Sequence, residues 1–332
     1  PNATEAQKKE LMAGDDRYLS EIAEEANSNA VDHFLSIHTN ALNGRTNYLL
    51  MLFRGENDNP TTAPSDKMAA HSGDIQIQNQ LTCWTSTKPL VRGDLTFYGD
   101  GMGLGVLRPL TVPGFLSEGS FHDYAPETHR LMNDDYCKLE ALRLFQHFHK
   151  WFGAPLPQTA TISGWVKSSN ELVDVLGEKN FVYVKNSDDQ WLPLNGAKVE
   201  LYKGSTKVAE KTTDNWYNGI FAFYDLEPGT YKLMATADGY KPLHRKYQTV
   251  VVEANATSYP FLFLEDTAYV DLSGIYVDYP DPEQPAYAAL PEQFNMKQND
   301  PKDNTAKIKG TIKRTIQHAD SVFYLTHEED GT

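Results

Sequence analysis

The chain has 332 residues, of which 40% are hydrophobic and 23% are charged, a composition of folded protein that excludes wholesale disorder. The formal net charge is −15, and both halves of the chain are acidic, so we expect no nucleic-acid surface and no polybasic membrane patch. No apolar run approaches the ~18 residues that a transmembrane segment needs. Two cysteines, Cys83 and Cys137, are too few for a disulfide scaffold or a thiolate zinc site. They allow one bridge, but we expect two buried free thiols.

Helices and strands alternate over the first part of the chain. Apolar residues at three- and four-residue spacing predict helices over residues 16–30, 65–81 and 134–151. Short apolar runs predict buried strands at residues 34–37, 48–53 and 112–116. This alternation predicts an α/β fold with an open, mostly parallel sheet and flanking helices. The expected buried stripe of the last helix is formed by Leu139, Leu142, Phe145, Phe148 and Phe152.

After Pro157 the pattern changes to short strands separated by Gly, Pro and Asp turns. Strand-like runs lie at residues 160–167, 197–202, 219–224, 230–237 and 248–252, and they predict an all-β sandwich. Residues 266–304, rich in Pro, Asp and Tyr, are expected to form an irregular linker, and residues 306–325 the first strands of a further β domain. We therefore expect three parts, comprising residues 1–155, 156–265 and 266–332.

Two polar side chains follow predicted strands of the α/β part. His38 comes directly after the run at residues 34–37, and Glu118 follows the run at residues 112–116. Ligands of α/β sheets gather at the carboxyl ends of parallel strands, so we expect both side chains in one cleft. Each residue alone also has an ordinary explanation. A histidine at a strand end is usually structural, and a lone glutamate there is usually a surface or capping residue.

In combination, the motifs around these two residues resemble the zinc-dependent N-acetylmuramoyl-L-alanine amidases of the peptidoglycan hydrolase superfamily. The resemblance covers about residues 15–153 and rests on Arg17, Ala26-Asn27, Ser36-Ile37-His38-Thr39-Asn40-Ala41, Val106-Leu107-Arg108 and the strand that ends in Glu118. It implies that His38 is a zinc ligand and that Glu118 is the general base. Asn40, Arg108 and His122 become candidates for contacts with the substrate or with the site residues.

The chemistry that this resemblance implies suits those residue types. A catalytic zinc takes three protein ligands and leaves a fourth position for water. The metal polarises the scissile carbonyl and lowers the pKa of its water, while a nearby carboxylate moves the proton. The implied reaction is hydrolysis of the amide between N-acetylmuramic acid and the L-alanine of the stem peptide. The resemblance thus implies Zn²⁺ as cofactor, peptidoglycan as partner, and a periplasmic, cell-surface or secreted bacterial location.

The chain also departs from the family pattern. In the family, a His in a Gly-His-Gly-Gly turn and a Glu supply two further ligands upstream of the matched region, and no Gly-His-Gly occurs here. His33 lies on the opposite side of the pleat from His38 and is not expected to replace a ligand. The chain starts at Pro1 without Met, and it ends in Asp330-Gly331 after an apolar run, like half of a β-hairpin. We therefore expect a piece of a longer protein, with two zinc ligands upstream of Pro1.

The β part resembles the transthyretin-like carboxypeptidase regulatory domains over about residues 159–265. The motifs are those at residues 194–201, 219–223, 226–231 and 237–240. The resemblance implies a seven-stranded sandwich that acts as a spacer or binding platform rather than as a catalyst. Its aromatics Trp191, Trp216 and Tyr217 are candidates for stacking on sugar rings, although we expect them to be buried.

Two other functions remain open from the sequence. Zinc carboxypeptidases also carry a transthyretin-like domain after a catalytic domain with a zinc His and a late Glu. Their Arg clamp for a free carboxylate has no distinctive counterpart in this chain. The non-enzymatic alternative is a catalytically inactive cell-wall binding or scaffold protein.

Overall fold

The computed structural model describes residues 18–99, 101–176, 181–184, 186–243 and 246–267, and five short strands beyond residue 274. Arg17, which the amidase resemblance includes, lies outside these residues. The helices are α1 (Leu19–Ser28), α2 (Ser65–Gln76), α3 (Asp94–Tyr98), α4 (Ala125–Leu131) and α5 (Asp134–Trp151). The strands of the same region are β1 (Phe34–Asn40), β2 (Leu50–Phe53), β3 (Gly55–Glu56), β4 (Asn59–Pro60), β5 (Leu90–Gly93) and β6 (Gly114–Phe121).

Four of these strands form an open sheet in the order β1-β6-β2-β5. β1 runs parallel to β6 and β2 runs parallel to β5, whereas β6 and β2 are antiparallel. The predicted α/β fold is thereby confirmed, with one antiparallel pairing at the centre of the sheet. β1 forms an edge, since none of the described strands pairs with its outer side.

The two faces of the sheet bury separate apolar clusters because side chains alternate along a strand. On one face, Leu50 and Leu116 pack with Ala23 of α1. On the other face, Met51 packs with Met68 of α2. Glu118 belongs to the first of these faces, since it lies two residues after Leu116 in β6.

Helix α5 has the predicted bounds but not the predicted buried face. Leu139 is fully buried, whereas Phe145 and Phe152 are 39% and 53% exposed. Arg143 and His147 are buried in their place. The reason is that α5 lies between the sheet and the β half of the chain, so that two sides of the helix are covered.

The second half folds as two packed sheets, which confirms the predicted sandwich. One sheet has the order β10-β9-β12-β14, and the other has the order β11-β7-β16-β13, with β8 and β15 also paired to β7. Short 3₁₀ turns cover Val173–Leu176 and Asp188–Gln190. The strands are β7 (Ala160–Leu172), β8 (Trp191–Pro193), β9 (Lys198–Lys203), β10 (Thr206–Thr212), β11 (Ile220–Leu226), β12 (Gly229–Thr236), β13 (Tyr240–Pro242), β14 (Gln248–Val252), β15 (Thr257–Ser258) and β16 (Phe261–Asp266).

The α/β half and the sandwich share a buried interface. Tyr136 and Leu139 of α5 join Trp165 and Ile220 of the sandwich in one apolar cluster. A buried ion network of Arg130, Glu127 and Asp189 lies beside this cluster. The sandwich is therefore packed against the α/β half rather than tethered to it.

The ion network centres on Arg130 of α4 and Asp189 of the sandwich, both nearly inaccessible to solvent. Arg130 Nη1 lies 2.7 Å from Asp189 Oδ1, and Arg130 Nη2 lies 2.7 Å from Glu127 Oε2. Tyr124 donates its hydroxyl to Asp189 Oδ2 at 2.9 Å. Burial alone would raise the pKa of Asp189, but the facing Arg130 and Lys167 lower it to about 2.

Three further expectations concern the cysteines, membrane segments and the C-terminal part. Cys83 and Cys137 are free, but Cys137 is exposed rather than buried. None of the described helices is long and apolar enough to cross a membrane. The predicted linker and further β domain lie mostly outside the described residues, which include β17 (Ile275–Asp278), β18 (Tyr287–Ala289), β19 (Lys307–Lys309), β20 (Gln317–His318) and β21 (Ser321–Val322).

Candidate functional site

His38 and Glu118 lie directly opposite each other on the parallel strands β1 and β6. Opposed residues of neighbouring strands project their side chains to the same face of a sheet. The structure thus places an imidazole beside a carboxylate, near the carboxyl ends of both strands. Both strands extend further than predicted, so the two residues lie within strands rather than after them. We call the surface formed by Ser36, His38, Tyr48 and Glu118 the Glu118 site.

The Glu118 carboxylate is poorly solvated. The residue is 9% exposed, and its Oε2 atom is buried without a hydrogen-bond partner among the described residues. Burial disfavours the charged form and raises the pKa of Glu118 to about 7. A carboxyl with this pKa is able to accept and release a proton near neutral pH, as a general base requires.

The His38 imidazole is exposed at the edge of the sheet. Its Nε2 atom forms a hydrogen bond of 2.9 Å with Ser36 Oγ, two residues earlier on the same face of β1. This contact orients the ring toward Ser36.

Tyr48 is a site residue that the sequence reasoning missed. Burial raises its pKa, and the charge of the neighbouring Glu118 raises it further. Its ring packs on that of Phe121, with the ring centroids 4.7 Å apart. The sequence signal was present, because Tyr48 precedes Leu50 by two residues and alternation places both on the face of Glu118.

Asn40 and His122 also lie at this edge of the sheet. Asn40 pairs with Phe121. The backbone N–H of His122 donates a hydrogen bond of 2.9 Å to the backbone carbonyl oxygen of Asn40. His122 Nδ1 forms a hydrogen bond of 3.0 Å with Thr39 Oγ1. The structure therefore brings both candidates next to the Glu118 site.

Asp123 fixes the loop that follows β1. Its Oδ2 atom accepts the backbone N–H groups of Leu42 and Gly44 at 2.9 Å and 3.0 Å. The loop is thus held beside the site, a role that nothing in the local sequence pattern indicated.

The structure does not bring Arg108 to the Glu118 site. Its guanidinium donates to the carbonyl oxygens of Met102 and Gly103 at 3.1 Å and 3.3 Å. The carbonyl oxygen of Met102 also accepts a hydrogen bond from Arg54. Arg54 directly follows β2, and the last residue of β2 pairs with Phe115. Because β2 and β6 are antiparallel, that end is the far end of the sheet from Glu118. The local motif around Arg108 gives no information about this antiparallel pairing.

The described residues do not supply a complete zinc ligand set. They contain no group of three His, Cys, Asp or Glu side chains placed to hold a metal ion. At the Glu118 site, His38 contributes one imidazole and Glu118 one carboxylate, whereas a catalytic zinc takes three protein ligands. Zinc binding therefore remains a prediction.

A second histidine cluster lies on the opposite face of the sheet. His147 Nε2 forms a hydrogen bond of 2.9 Å with His33 Nε2, and His147 Nδ1 one of 2.8 Å with His71 Nδ1. Burial lowers the pKa of His33 to about 4 and that of His147 to about 3, and it also lowers that of His71. Because both nitrogens of His147 are engaged, the three rings form a chain and do not converge on one point.

Comparison with known families identifies the sandwich. Residues 182–259 match the carboxypeptidase regulatory-like domain family, which confirms the resemblance of the β half. No curated protein matches the sequence of the chain.

Several solved amidase structures are similar to part of the chain. The catalytic domain of CwlV, an N-acetylmuramoyl-L-alanine amidase from Bacillus (Paenibacillus) polymyxa var. colistinus, shares 16% identity at a TM-score of 0.34, covering 42% of this chain and 68% of that one. An N-acetylmuramoyl-L-alanine amidase from Clostridium difficile 630 shares 22% identity at a TM-score of 0.34, covering 41% and 66%. The amidase AmiC2 of Nostoc punctiforme shares 19% identity at a TM-score of 0.31, covering 40% and 63%. The match thus spans between 63% and 68% of the length of these amidases.

Proposed function

We propose that the α/β half of this chain belongs to a peptidoglycan amidase. The bond cleaved is the amide between N-acetylmuramic acid and the L-alanine of the stem peptide. The observation that carries the proposal is the pairing of Glu118, a buried carboxyl with a pKa of about 7, with His38 inside the Ser36-to-Ala41 motif. Substrate and location follow from the same proposal, namely peptidoglycan, reached in the periplasm or at the bacterial cell surface.

In this proposal Glu118 transfers protons. Its carboxylate accepts a proton from the attacking water as oxygen bonds to the amide carbon, and it then protonates the leaving amine. The Oε2 atom is buried without a hydrogen-bond partner among the described residues, so no protein donor stabilises the charged form there. Tyr48 and Leu50 beside Glu118 limit its solvation, which is what keeps the pKa near neutrality.

We also propose that the amidase uses zinc, with His38 as one ligand and the others outside the described residues. A bound zinc would polarise the scissile carbonyl and lower the pKa of the water. Since one neutral imidazole does not hold zinc against water, we expect the described residues by themselves to bind zinc weakly. Zinc content measured on this chain and on the natural full-length protein tests the assignment. Equal, stoichiometric zinc in both would show that residues 1–332 contain the ligands.

The deciding experiment is an assay of the natural full-length protein on intact sacculi. New lactyl ends indicate the amidase, released C-terminal amino acids indicate the alternative carboxypeptidase, and neither product indicates a binding or scaffold protein. The Glu118→Gln variant should lose on the order of 10²- to 10⁴-fold in turnover, because it keeps the shape but not the proton acceptor. Near-normal turnover in this variant would place the base elsewhere. Glu253→Gln is the matched control, since it makes the same chemical change at an exposed glutamate of the sandwich.

A further inference from the structure

Two consecutive aromatic residues are exposed on the sandwich, contrary to the expectation that they are buried. Trp216 is 51% exposed and Tyr217 is 39% exposed. Trp191 is half-buried, with its ring centroid 6.3 Å from that of Phe263. Trp216 and Tyr217 belong to the connection between β10 and β11, residues 213–219, which we call the Trp216 loop. Exposure of two neighbouring rings on one loop requires a physical explanation that packing does not provide.

The Trp216 loop is held in a fixed conformation. The Trp216 N–H donates to Asp214 Oδ1 at 2.9 Å, and the Tyr217 N–H donates to Asn195 Oδ1 at 2.8 Å. Tyr217 has a φ of 49°, in the left-handed region that a bulky side chain rarely adopts. Such a conformation persists only where the surroundings impose it. The backbone that carries both rings is therefore held in place, which reduces the entropy lost when a ligand binds.

Tyr217 forms one wall of an open groove in the sandwich with a volume of about 470 Å³. Small-molecule sites commonly measure about 300–1,000 Å³. The polar side chains that line the same groove include Asn195, Lys198 and Asp238. An aromatic face contacts the C–H groups of a sugar ring, while amide, ammonium and carboxylate groups exchange hydrogen bonds with its hydroxyl and acetamido groups. The groove thus has the chemistry of a saccharide site.

The Trp216 loop lies next to the edge of the sheet that carries the Glu118 site. The Thr128 hydroxyl donates a hydrogen bond of 2.6 Å to the carbonyl oxygen of His122, which lies at that edge. His129, the next residue of α4, donates from Nδ1 to the carbonyl oxygen of Trp216 at 2.8 Å. α4 has seven residues, so the span from its first turn to His129 is within roughly 10 Å. Hydrogen bonds through α4 thus connect the Trp216 loop to His122, at the edge of the sheet that carries the Glu118 site.

We propose that the Trp216 loop and the adjoining groove bind the glycan strand of peptidoglycan. The identity of this sugar rests on the proposed function, whereas the saccharide chemistry rests on the loop and the groove themselves. In the intact protein the sandwich then holds a glycan strand beside the Glu118 site. The sandwich packs on α4 and α5 through a buried apolar cluster and a buried ion pair, which hold the groove against the α/β half. The loop acts by positioning substrate and takes no part in proton transfer.

The test measures binding and needs no turnover. Peptide-free glycan strands are titrated calorimetrically into the natural full-length protein carrying Glu118→Gln, so that cleavage does not interfere. Trp216→Ala and Tyr217→Ala should each weaken the affinity by roughly tenfold or more, as expected for loss of a central aromatic contact. Trp216→Phe should retain most of the affinity, because the aromatic face remains. Tyr247→Ala is the matched control, since Tyr247 is 37% exposed on the same sandwich and lines a different groove.

Three outcomes would overturn the proposal. These are wild-type affinity in both alanine variants, an equal loss in Tyr247→Ala, or binding of free stem peptides in place of glycan strands. Failure of the proposed amidase function has a different signature, namely no lactyl ends from sacculi. Glycan binding that depends on Trp216 in a protein without amidase activity would leave the present proposal standing and reject the former.

Discussion

His33 and His147 share a hydrogen bond between their Nε2 atoms, 2.9 Å apart, on the face of the sheet opposite to Glu118. Burial lowers the pKa of both histidines, whereas burial on the other face raises the pKa of Glu118. The neutral form is thus favoured on both faces, but the consequences for stability have opposite signs. Acid opposes folding through the histidines, and base opposes folding through the glutamate.

The histidine chain should make the protein sensitive to acid. An unfolded histidine takes up a proton near pH 6.5, whereas His147 in the folded protein does so only near pH 3. Unfolding is therefore favoured increasingly as the pH falls below about 6.5. Between pH 6.5 and 5, His147 alone should cost about 2 kcal/mol of the free energy of unfolding. The charges near His71 are those of Lys150 and Asp74, which act on its pKa in opposite directions.

Urea unfolding at pH 7.5, 6 and 5 measures this effect. His147→Gln should be less stable than wild type at pH 7.5, because the hydrogen bonds to His33 and His71 change, but its stability should fall less between pH 6.5 and 5. His122→Gln, at an exposed position, should keep the wild-type dependence. The same pH dependence in His147→Gln as in wild type would contradict the assignment.

Glu118→Gln should stabilise the protein at alkaline pH. An unfolded glutamate ionises near pH 4.5, whereas folded Glu118 retains its proton to about pH 7. The wild-type free energy of unfolding therefore declines as the pH rises through this window, and the amide variant has no such decline. We expect similar stabilities at pH 5 and a more stable variant at pH 8, measured by urea unfolding. Glu253→Gln, at an exposed position, serves as the control, and a variant that is less stable at pH 8 would show that the ionised carboxylate has a stabilising partner.

The activity should follow the ionisation of Glu118. If the unprotonated carboxylate is the base, kcat/KM should fall about tenfold per pH unit below the pKa of about 7. Release of lactyl ends from soluble muropeptides between pH 5.5 and 8.5 measures this limb. A flat profile down to pH 5.5 would show that another group with a lower pKa takes the proton.

The interface between the two halves should depend on its buried ion network. Arg130→Met leaves Glu127 buried without its cation and Asp189 with Lys167 alone, 3.7 Å away, and breaking a buried pair in this way typically costs ~3–5 kcal/mol. Lys211→Met is the matched control, because Lys211 forms an ion pair of 3.2 Å with Asp135 across the same interface but is 42% exposed. Exposed pairs contribute about 0–1 kcal/mol. Equal losses in urea unfolding of the two variants would mean that the network does not stabilise the interface.

Local pattern alone marked many of the elements of this fold, but not β5, β10 or the short helices α3 and α4. The 3.6-residue spacing of apolar side chains marked α5 with its bounds, Asp134–Trp151, and the apolar run at residues 248–252 marked β14. These signals are local because helix and strand periodicities arise from backbone geometry over a few residues. The motif around His38 and the strand ending near Glu118 were recognisable for the same reason.

Tertiary structure decided which residues meet. His38 and Glu118 are 80 positions apart, and their pairing depends on the register of β1 against β6. The periodicity of side chains within one strand does not determine this register. The antiparallel pairing of β2 with β6 sends Arg108 to the far end of the sheet and brings Tyr48 beside Glu118. Packing of α5 on the sheet buries His147, and packing on the sandwich buries Arg143, whereas periodicity predicted that Phe145 and Phe152 would be buried. Burial, and with it the pKa of Glu118, is a property of surfaces brought together from distant parts of the chain, so these features arise only from the assembled fold.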